Sequence, residues 1–274
     1  MIIPPIKSQG IKTKLVHWIK SVTPAGKKWI EPFMGTGVVG FNSGFPHAVM
    51  SDANPHLIRF YRSVESGEVS PESVRGYLET ESALLSGSGD GQERFREVRD
   101  RFNETGDPHD FLFLSRAGFN GMMRFNRSGK WNVPFCKKPK RFSKSYITKI
   151  SNQVSAVSNV CKGWEFNCED FREAIKKAEA GDLIYCDPPY SGRNSDYFND
   201  WDEKDDDDLF RLLEDTEAFF ILSTWHHNDF RQNPFADRFK EGFRVLTKEH
   251  FYHIGGNLEN RRFVTEALIL NFSP

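Results

Sequence analysis

The run Leu183-Ile184-Tyr185-Cys186, followed at once by Asp187-Pro188-Pro189-Tyr190, constrains the fold more than any other stretch of the chain. Four apolar residues bounded by a breaker read as a buried strand. The two prolines fix their own φ angles and push the residue before each into an extended conformation, so the chain cannot continue as helix. The tetrapeptide therefore sits just past a strand end, where an open α/β sheet places its chemistry. Neither proline has an N–H. The Asp187 carboxylate and the carbonyls of Asp187 and Pro188 are left as acceptors beside the ring of Tyr190. Acceptors next to an aromatic face suit a planar ring that carries an amino group, although a rigid turn would use the same residues.

A second strand-to-loop junction precedes it. Lys28-Trp29-Ile30-Glu31-Pro32-Phe33 reads as a short strand running into Met34-Gly35-Thr36-Gly37-Val38-Val39-Gly40, whose glycines let backbone approach a ligand and whose following helix offers free N–H groups. The stretch matches G-x-G-x-x-G, and Asp52 ends the next strand, Ala48-Val49-Met50-Ser51. A nicotinamide dinucleotide site is one reading. Against it, Pro32 interrupts the strand, Asp52 comes sooner than the usual ~20 residues, and nothing downstream suits hydride transfer. Any ligand whose ribose hydroxyls bond to Asp52 would fit, and an adenosyl group does so as well as a dinucleotide.

Charge is distributed unevenly. The chain has 37 Lys and Arg against 38 Asp and Glu, yet residues 111–164 hold eleven basic and no acidic residues, which leaves 26 against 38 elsewhere, a net of −12. A basic window on an acidic body is the footprint of a phosphate-binding surface. Within it the Arg127-Ser128-Gly129-Lys130 corner between two aromatic-rich arms, which begin at Phe111 and end at Phe135, reads as a hairpin turn. A two-stranded ribbon fits the DNA major groove, and Arg124 near its root is the residue type that bonds guanine bidentately. Lys137, Lys138, Lys140 and Arg141 suit phosphates. Phe125 and Phe135 read as core.

The remaining segments frame these. Leu15, Val16, Trp18, Ile19 and Val22 recur at helical spacing, and Pro24 and Gly26 stop that helix; Leu57, Ile58, Phe60, Tyr61 and Val64 form another helical face. Helices continue to about Asp110, across a glycine-serine loop at 86–91. An amphipathic helix spans Tyr146 to Val160, then Phe166-Asn167-Cys168 forms a strand ending at Glu169-Asp170-Phe171. Asp202 to Asp208, with six acids, reads as a solvated helix start. Ala218 to Ser223 is a buried strand, His226 and His227 are loop residues without a ligand role, and Glu249 to Ile254 with Arg262 to Phe272 suggest an antiparallel edge pair. Four irregularly spaced cysteines argue against a disulfide framework and a structural zinc site. No stretch approaches a membrane span, and Met1-Ile2-Ile3-Pro4-Pro5 lacks a signal layout, so a cytoplasmic protein is expected.

In this order the pieces resemble the Dam-like adenine-N6 DNA methyltransferases, in which the cofactor loop comes first, the DNA-reading block is inserted, and Asp-Pro-Pro-Tyr follows. The resemblance covers Lys7 to Leu270 and looks closest to the EcoRV type of modification methyltransferase, on segments Pro4 to Lys14 and Asn132 to Lys138. It implies an α/β fold: a Rossmann-like S-adenosylmethionine-dependent methyltransferase sheet, residues 1–58 and 160–274, with an inserted, mainly helical DNA-recognition domain carrying a β-hairpin, residues 59–159. It implies that Lys12, Phe33, Gly35, Gly37, Asp52, Asp170, Phe171 and Asp187 line the S-adenosylmethionine pocket. Lys7 and Arg124 would read guanines, Phe119 and Asn120 contact the opened duplex, and Met122 and Pro134 touch a thymine. The family begins with Lys-Trp-x-Gly-Gly-Lys, where this chain has Ser8 in place of tryptophan and Ile11 in place of glycine, so the cofactor contact at Ser8 would differ.

The implied partner is double-stranded DNA, with a cognate restriction endonuclease beside it and no metal, in a bacterial or phage-infected cell. A base inside a duplex must be extruded, at about a few kcal/mol, before it can react. Tyr190 would stack on it, while Asp187 and the Pro188 carbonyl would accept from its amino group and leave the nitrogen lone pair aimed at the sulfonium methyl. Cytosine-N4 or RNA-base methylation would use the same acceptors, and an inactive DNA-binding relative is a further reading. A cytosine-C5 enzyme would need a thiolate, commonly after proline, and no cysteine here follows one. Similarity suggests a site beginning GAT, with GATATC ahead of GATC.

Overall fold

The computed structural model describes residues 1–8, 10–87, 89–138, 140–189, 201–228, 230–251 and 263–274. Tyr190 lies outside the described residues, as does the loop expected between the last two strands. Seven strands form one sheet: β1 (Trp29–Glu31), β2 (Ala48–Asp52), β3 (Glu165–Cys168), β4 (Leu183–Cys186), β5 (Phe219–His227), β6 (Arg244–Phe251) and β7 (Phe263–Leu270). Their spatial order is β3-β2-β1-β4-β5-β7-β6. The first five run parallel, and β7 pairs antiparallel with both β5 and β6. The chain leaves β1 outward to β2 and β3, then returns to place β4 on the other side of β1. That reversal is the switch point at which such a sheet opens a crevice.

Strand β4 shows why its sequence reads as unbroken apolar. Leu183 and Tyr185 face the larger core and Ile184 and Cys186 the smaller one, so both faces are buried. The larger core lies under α1 (Val16–Val22), α2 (Gly40–Ser43) and α3 (Pro55–Glu65), and continues into α4 (Pro71–Gly87), α5 (Gln92–Thr105), α6 (Pro108–Ala117) and α7 (Lys144–Val160). The smaller is covered by α8 (Phe171–Lys176), α9 (Glu203–Asp215) and α10 (Pro234–Asp237). Among the described residues no helix is long and apolar enough to cross a membrane.

Several local expectations are corrected. The apolar residues from Phe111 to Leu114 are not a ribbon arm but the middle of α6, with Pro108 in the first turn and Asp107 accepting the N–H groups of His109 and Asp110. Periodicity could not tell this from a strand, because α6 is buried from Pro108 through Ala117 apart from His109. The ribbon that follows consists of separate bridges, Gly118 to Phe135 and Phe125 to Trp131, rather than regular strands. Its turn falls where expected, closed by Asn126 Oδ1, which accepts from Ser128 N at 2.9 Å and Lys130 N at 3.0 Å. His226 and His227 end strand β5 instead of lying in a loop. The glycine loop leads into a single helical turn, α2. Of the final antiparallel pair only β6 is at the edge, β7 being interior. The acidic start of α9 is capped by a reciprocal Asp202–Asp205 box, but Asp206 within it is buried and accepts from Trp201 Nε1 at 2.8 Å.

Candidate active site

At the switch point the ends of β1, β2 and β4 surround an open cavity of about 190 Å³. Ser8, Lys12, Phe33, Gly35, Asp52, Asp170, Phe171 and Asp187 all line it. Each comes from a place the sheet dictates: Phe33 and Gly35 follow β1, Asp52 ends β2, Asp170 and Phe171 follow β3, and Asp187 follows β4. Gly37 does not line the cavity. Its φ is +73°, and a Cβ there would lie 2.5 Å from the Phe41 ring, so it serves the turn and the packing beneath it. Pro189 lines both the cavity and a small recess beside Asp206 and Trp225, whereas Pro188, expected at the catalytic corner, is buried and lines only the recess.

Asp52 holds the glycine loop. Its Oδ2 accepts from Gly35 N at 2.9 Å and its Oδ1 from Asn54 N at 2.9 Å, and each oxygen has a second lone pair for a ligand hydroxyl. Burial pushes the Asp52 carboxyl up, against these backbone bonds. Gly35 has φ +48°, and a Cβ there would meet nothing within 4 Å, so the loop leaves open space at this point. Across the cavity Phe33 stacks on Phe171 with centroids 5.2 Å apart, and Trp201 closes an aromatic triangle at 5.5 and 5.2 Å. Arg172 lies 4.3 Å above the Phe171 ring and pairs with Asp170, Asp205 and Asp208, which ties α8 to α9.

Asp187 is paired. Lys12 Nζ lies 2.6 Å from Oδ1 and 2.8 Å from Oδ2, joining residues 175 positions apart. Burial pushes the Asp187 carboxyl up and the Lys12 ammonium pulls it back. Lys12 is 7% exposed; the 20% of Asp187 that remains exposed is on a side chain lining the cavity. Beneath them Glu31, buried at the end of β1, accepts from Trp29 Nε1 at 2.8 Å. Burial raises its pKa well above the usual carboxylate range, and the charges of Asp187 and Asp52 add to the effect. With Glu31 holding its proton, Asp52 and Asp187 still set two carboxyl groups against the one ammonium of Lys12, a balance that favours a cationic ligand.

The basic surface is more selective than its sequence. Trp131, Val133 and Phe135 are buried while Asn132 and Pro134 are exposed, so one face of the ribbon packs and the other points outward. On the outer side lie Pro134, Arg127 in the turn, Lys137 and Lys138, all exposed. Arg124 donates through Nε and Nη2 to Asn132 O at 3.2 and 2.9 Å, across the ribbon. Phe119 is 48% exposed, its exposed neighbour Asn120 holds φ at +53°, and Met122 is half-buried. Arg116 is a correction. It is 3% exposed and donates to Pro5 O at 2.5 Å and Gln153 Oε1 at 2.7 Å, so it fastens the N-terminal segment to α7 and takes no part in the phosphate surface.

Sequence reasoning missed Glu31, Tyr185 and Trp201, which also line the cavity. Glu31 had a signal, a carboxylate inside a strand before Pro32; Trp201 had none, being fourteen positions beyond Asp187 and brought back by the fold. A mostly parallel sheet with a glycine loop held by the acid that ends β2, and an Asp-Pro-Pro turn at its switch point, is consistent with the class of S-adenosylmethionine-dependent methyltransferase folds.

The comparisons with known proteins agree. The model of the D12 class N6 adenine-specific DNA methyltransferases matches residues 8–254. The chain belongs to that family. It is 28% identical over 208 residues to the retron Ec67 DNA adenine methylase of Escherichia coli, covering 73% of this chain and 68% of that protein. It is 31% identical over 190 residues to the DNA adenine methylase of Serratia marcescens, covering 68% of this chain and 66% of that protein, and 30% identical to that of Vibrio cholerae, covering 64% of it. Solved structures align loosely: a precorrin 8w decarboxylase of Methanobacterium thermoautotrophicum over 98% of both chains at 11% identity with a TM-score of 0.42, and an rRNA methyltransferase of Streptomyces viridochromogenes at 0.37.

Proposed function

We propose that this protein methylates N6 of adenine in duplex DNA at a specific site beginning GAT, GATATC ahead of GATC, as a modification methyltransferase of the EcoRV type with a cognate restriction endonuclease. The observation that carries the chemistry is Asp187, a buried carboxylate held at the switch point with open cavity before it. The donor set fits S-adenosylmethionine. Asp52 and Gly35 would hold the ribose side, Phe33, Phe171 and Trp201 the purine, and the excess of carboxyl groups favours the sulfonium charge. Bound there, S-adenosylmethionine supplies an electrophilic methyl group.

The chain's own residues do the rest. Lys12 keeps Asp187 ionised against burial, so the carboxylate can accept from the adenine amino group. That bond, with one to the Pro188 carbonyl, directs the nitrogen lone pair and offsets the positive charge that grows on the nitrogen. Tyr190 supplies the stacking face. Residues 1–58 and 160–274 form the catalytic domain and 59–159 the recognition domain. Lys7, from the catalytic domain, and Arg124, from the recognition domain, read guanines; within the latter Met122 and Pro134 read a thymine, Phe119 and Asn120 enter the opened duplex, and Arg127, Lys137 and Lys138 meet phosphates.

The test is incubation with tritiated S-adenosylmethionine and duplex DNA, followed by base analysis and by sequencing of methylated DNA from an expressing host. Label on adenine within a GAT site is expected. Label on cytosine, or on RNA alone, overturns the reading.

A further inference from the structure

Lys7 is not a free surface lysine. Its stem crosses Gly121 so closely that a Cβ on that glycine would lie 3.1 Å from Lys7 Cβ and 3.2 Å from Cδ. Gly121 closes the turn whose other residues, Phe119 and Asn120, stand exposed on the basic face. On its other side the Lys7 ammonium lies 5.9 Å above the ring of Tyr146, in the first turn of α7. The same ring receives a second cation. Arg116 Cζ lies 5.8 Å from its centroid and Arg116 Nη1 is 3.4 Å from its hydroxyl. Arg116 is itself immobilised by Pro5 O and Gln153, and Phe142 packs on the ring at 6.0 Å. Tyr146 is thus held by Arg116 and Phe142 while the Lys7 ammonium lies over its face.

We infer that Tyr146 is a positioning residue for base reading: it does not touch DNA, but holds the Lys7 ammonium at the groove-facing turn and sets how many of its three N–H donors are free for a guanine edge. This rests on the reading of Lys7 as a guanine contact. A neutral phenol accepts one ammonium hydrogen and leaves two for the base. A phenolate draws the ammonium back onto itself. Burial pushes the Tyr146 hydroxyl up, but two cations, Arg116 from α6 and then Lys7 from the N-terminal segment, outweigh it and bring the hydroxyl down to about 8, with the charge of Arg141 reaching Arg116 from beyond. Discrimination at one base pair therefore falls as pH rises through that value, while positions read by other residues hold.

The experiment uses the full chain with S-adenosylmethionine and a pool of duplexes randomised around a fixed adenine, sequenced for N6-methyladenine at about pH 7 and about pH 9. Wild type, Tyr146→Phe, Lys7→Ala and the double variant are compared. Lys7→Ala is expected to flatten preference at one position about tenfold. Tyr146→Phe, which keeps the ring and its packing, should lower preference at that same position about fivefold, remain flat with pH where wild type declines, and add nothing to Lys7→Ala. Two results overturn the proposal with Lys7 still reading a base: Tyr146→Phe matching wild type at that position at both pH values, or lowering all positions alike as a merely structural change would. If Lys7→Ala leaves every position unchanged, the assignment of Lys7 itself fails and the proposal falls with it. The wild-type pH series needs no substitution, so it decides the matter even if a variant folds poorly.

Discussion

Replacing Lys12 by methionine keeps the stem and removes the ammonium that lies 2.6 and 2.8 Å from the two oxygens of Asp187. At an effective dielectric of about 20 the attraction across that gap is roughly 6 kcal/mol. Against it stand several kcal/mol of desolvation for each ion, so the measurable coupling is about 2 kcal/mol, the open side of Asp187 holding it to that end of the range. Lys12→Met leaves a buried carboxylate without its partner, and the melting temperature should fall by roughly 4–8 °C at neutral pH. Asp187→Asn, which strands the ammonium instead, should cost a similar amount. The double variant removes both charges together, so its loss should be smaller than the sum by about 2 kcal/mol in a cycle measured by calorimetry. Activity adds an independent reading. Burial raises Asp187 and Lys12 lowers it. If Asp187 accepts from the amine as proposed, the ionised carboxylate is the stronger acceptor, so the acid limb of the rate profile is expected above that of an ordinary aspartate, and Lys12→Met should move it to higher pH. Additive single losses within about 0.5 kcal/mol, or an unmoved acid limb, would refute the pairing.

Three further outcomes follow from the same geometry. Arg116→Met should cost about 3 kcal/mol of stability by stranding buried carbonyls and leave the salt dependence of DNA binding unchanged, whereas Lys138→Ala should lower the slope of log K against log salt by about 1; fluorescence melts and salt titrations separate the two. Trp201→Ala should weaken S-adenosylmethionine about tenfold, worth ~1.4 kcal/mol, and Trp201→Phe should abolish most of the indole quenching seen on titration with it. The folded state holds the Glu31 proton to higher pH than the unfolded chain does, so stability from this group is present below the unfolded value and is lost as pH rises through the folded one. Glu31→Gln should flatten that decline in melting curves taken from about pH 5 upward; an unchanged slope would mean that Glu31 ionises normally.

What the chain determines alone is what physics makes local. An apolar run stopped by two prolines is a strand with acceptors at its end, wherever it occurs. Glycines before Asp52 mark a backbone that must turn with positive φ, as Gly35 and Gly37 do. Asn126 to Lys130 closes its own turn through one side chain. The membership of the cavity was implied by the family resemblance, and Phe33, Gly35, Asp52, Asp170, Phe171 and Asp187 meet there because parallel strands deliver their C-terminal residues to one edge. Only the tertiary structure decided the rest. A fully buried helix and a buried strand present the same uninterrupted apolar pattern, so Phe111 to Leu114 took its form from the helices packed around it. A charge count cannot separate Arg116, which spends its charge on two proline carbonyls and a glutamine, from lysines that face solvent. Lys12 and Asp187 lie 175 residues apart and have no local reason to meet. Asp187 is at the switch point, where the chain's strand order reverses between the parallel neighbours β1 and β4, and a buried charge admits only a partner that the whole fold can bring to it.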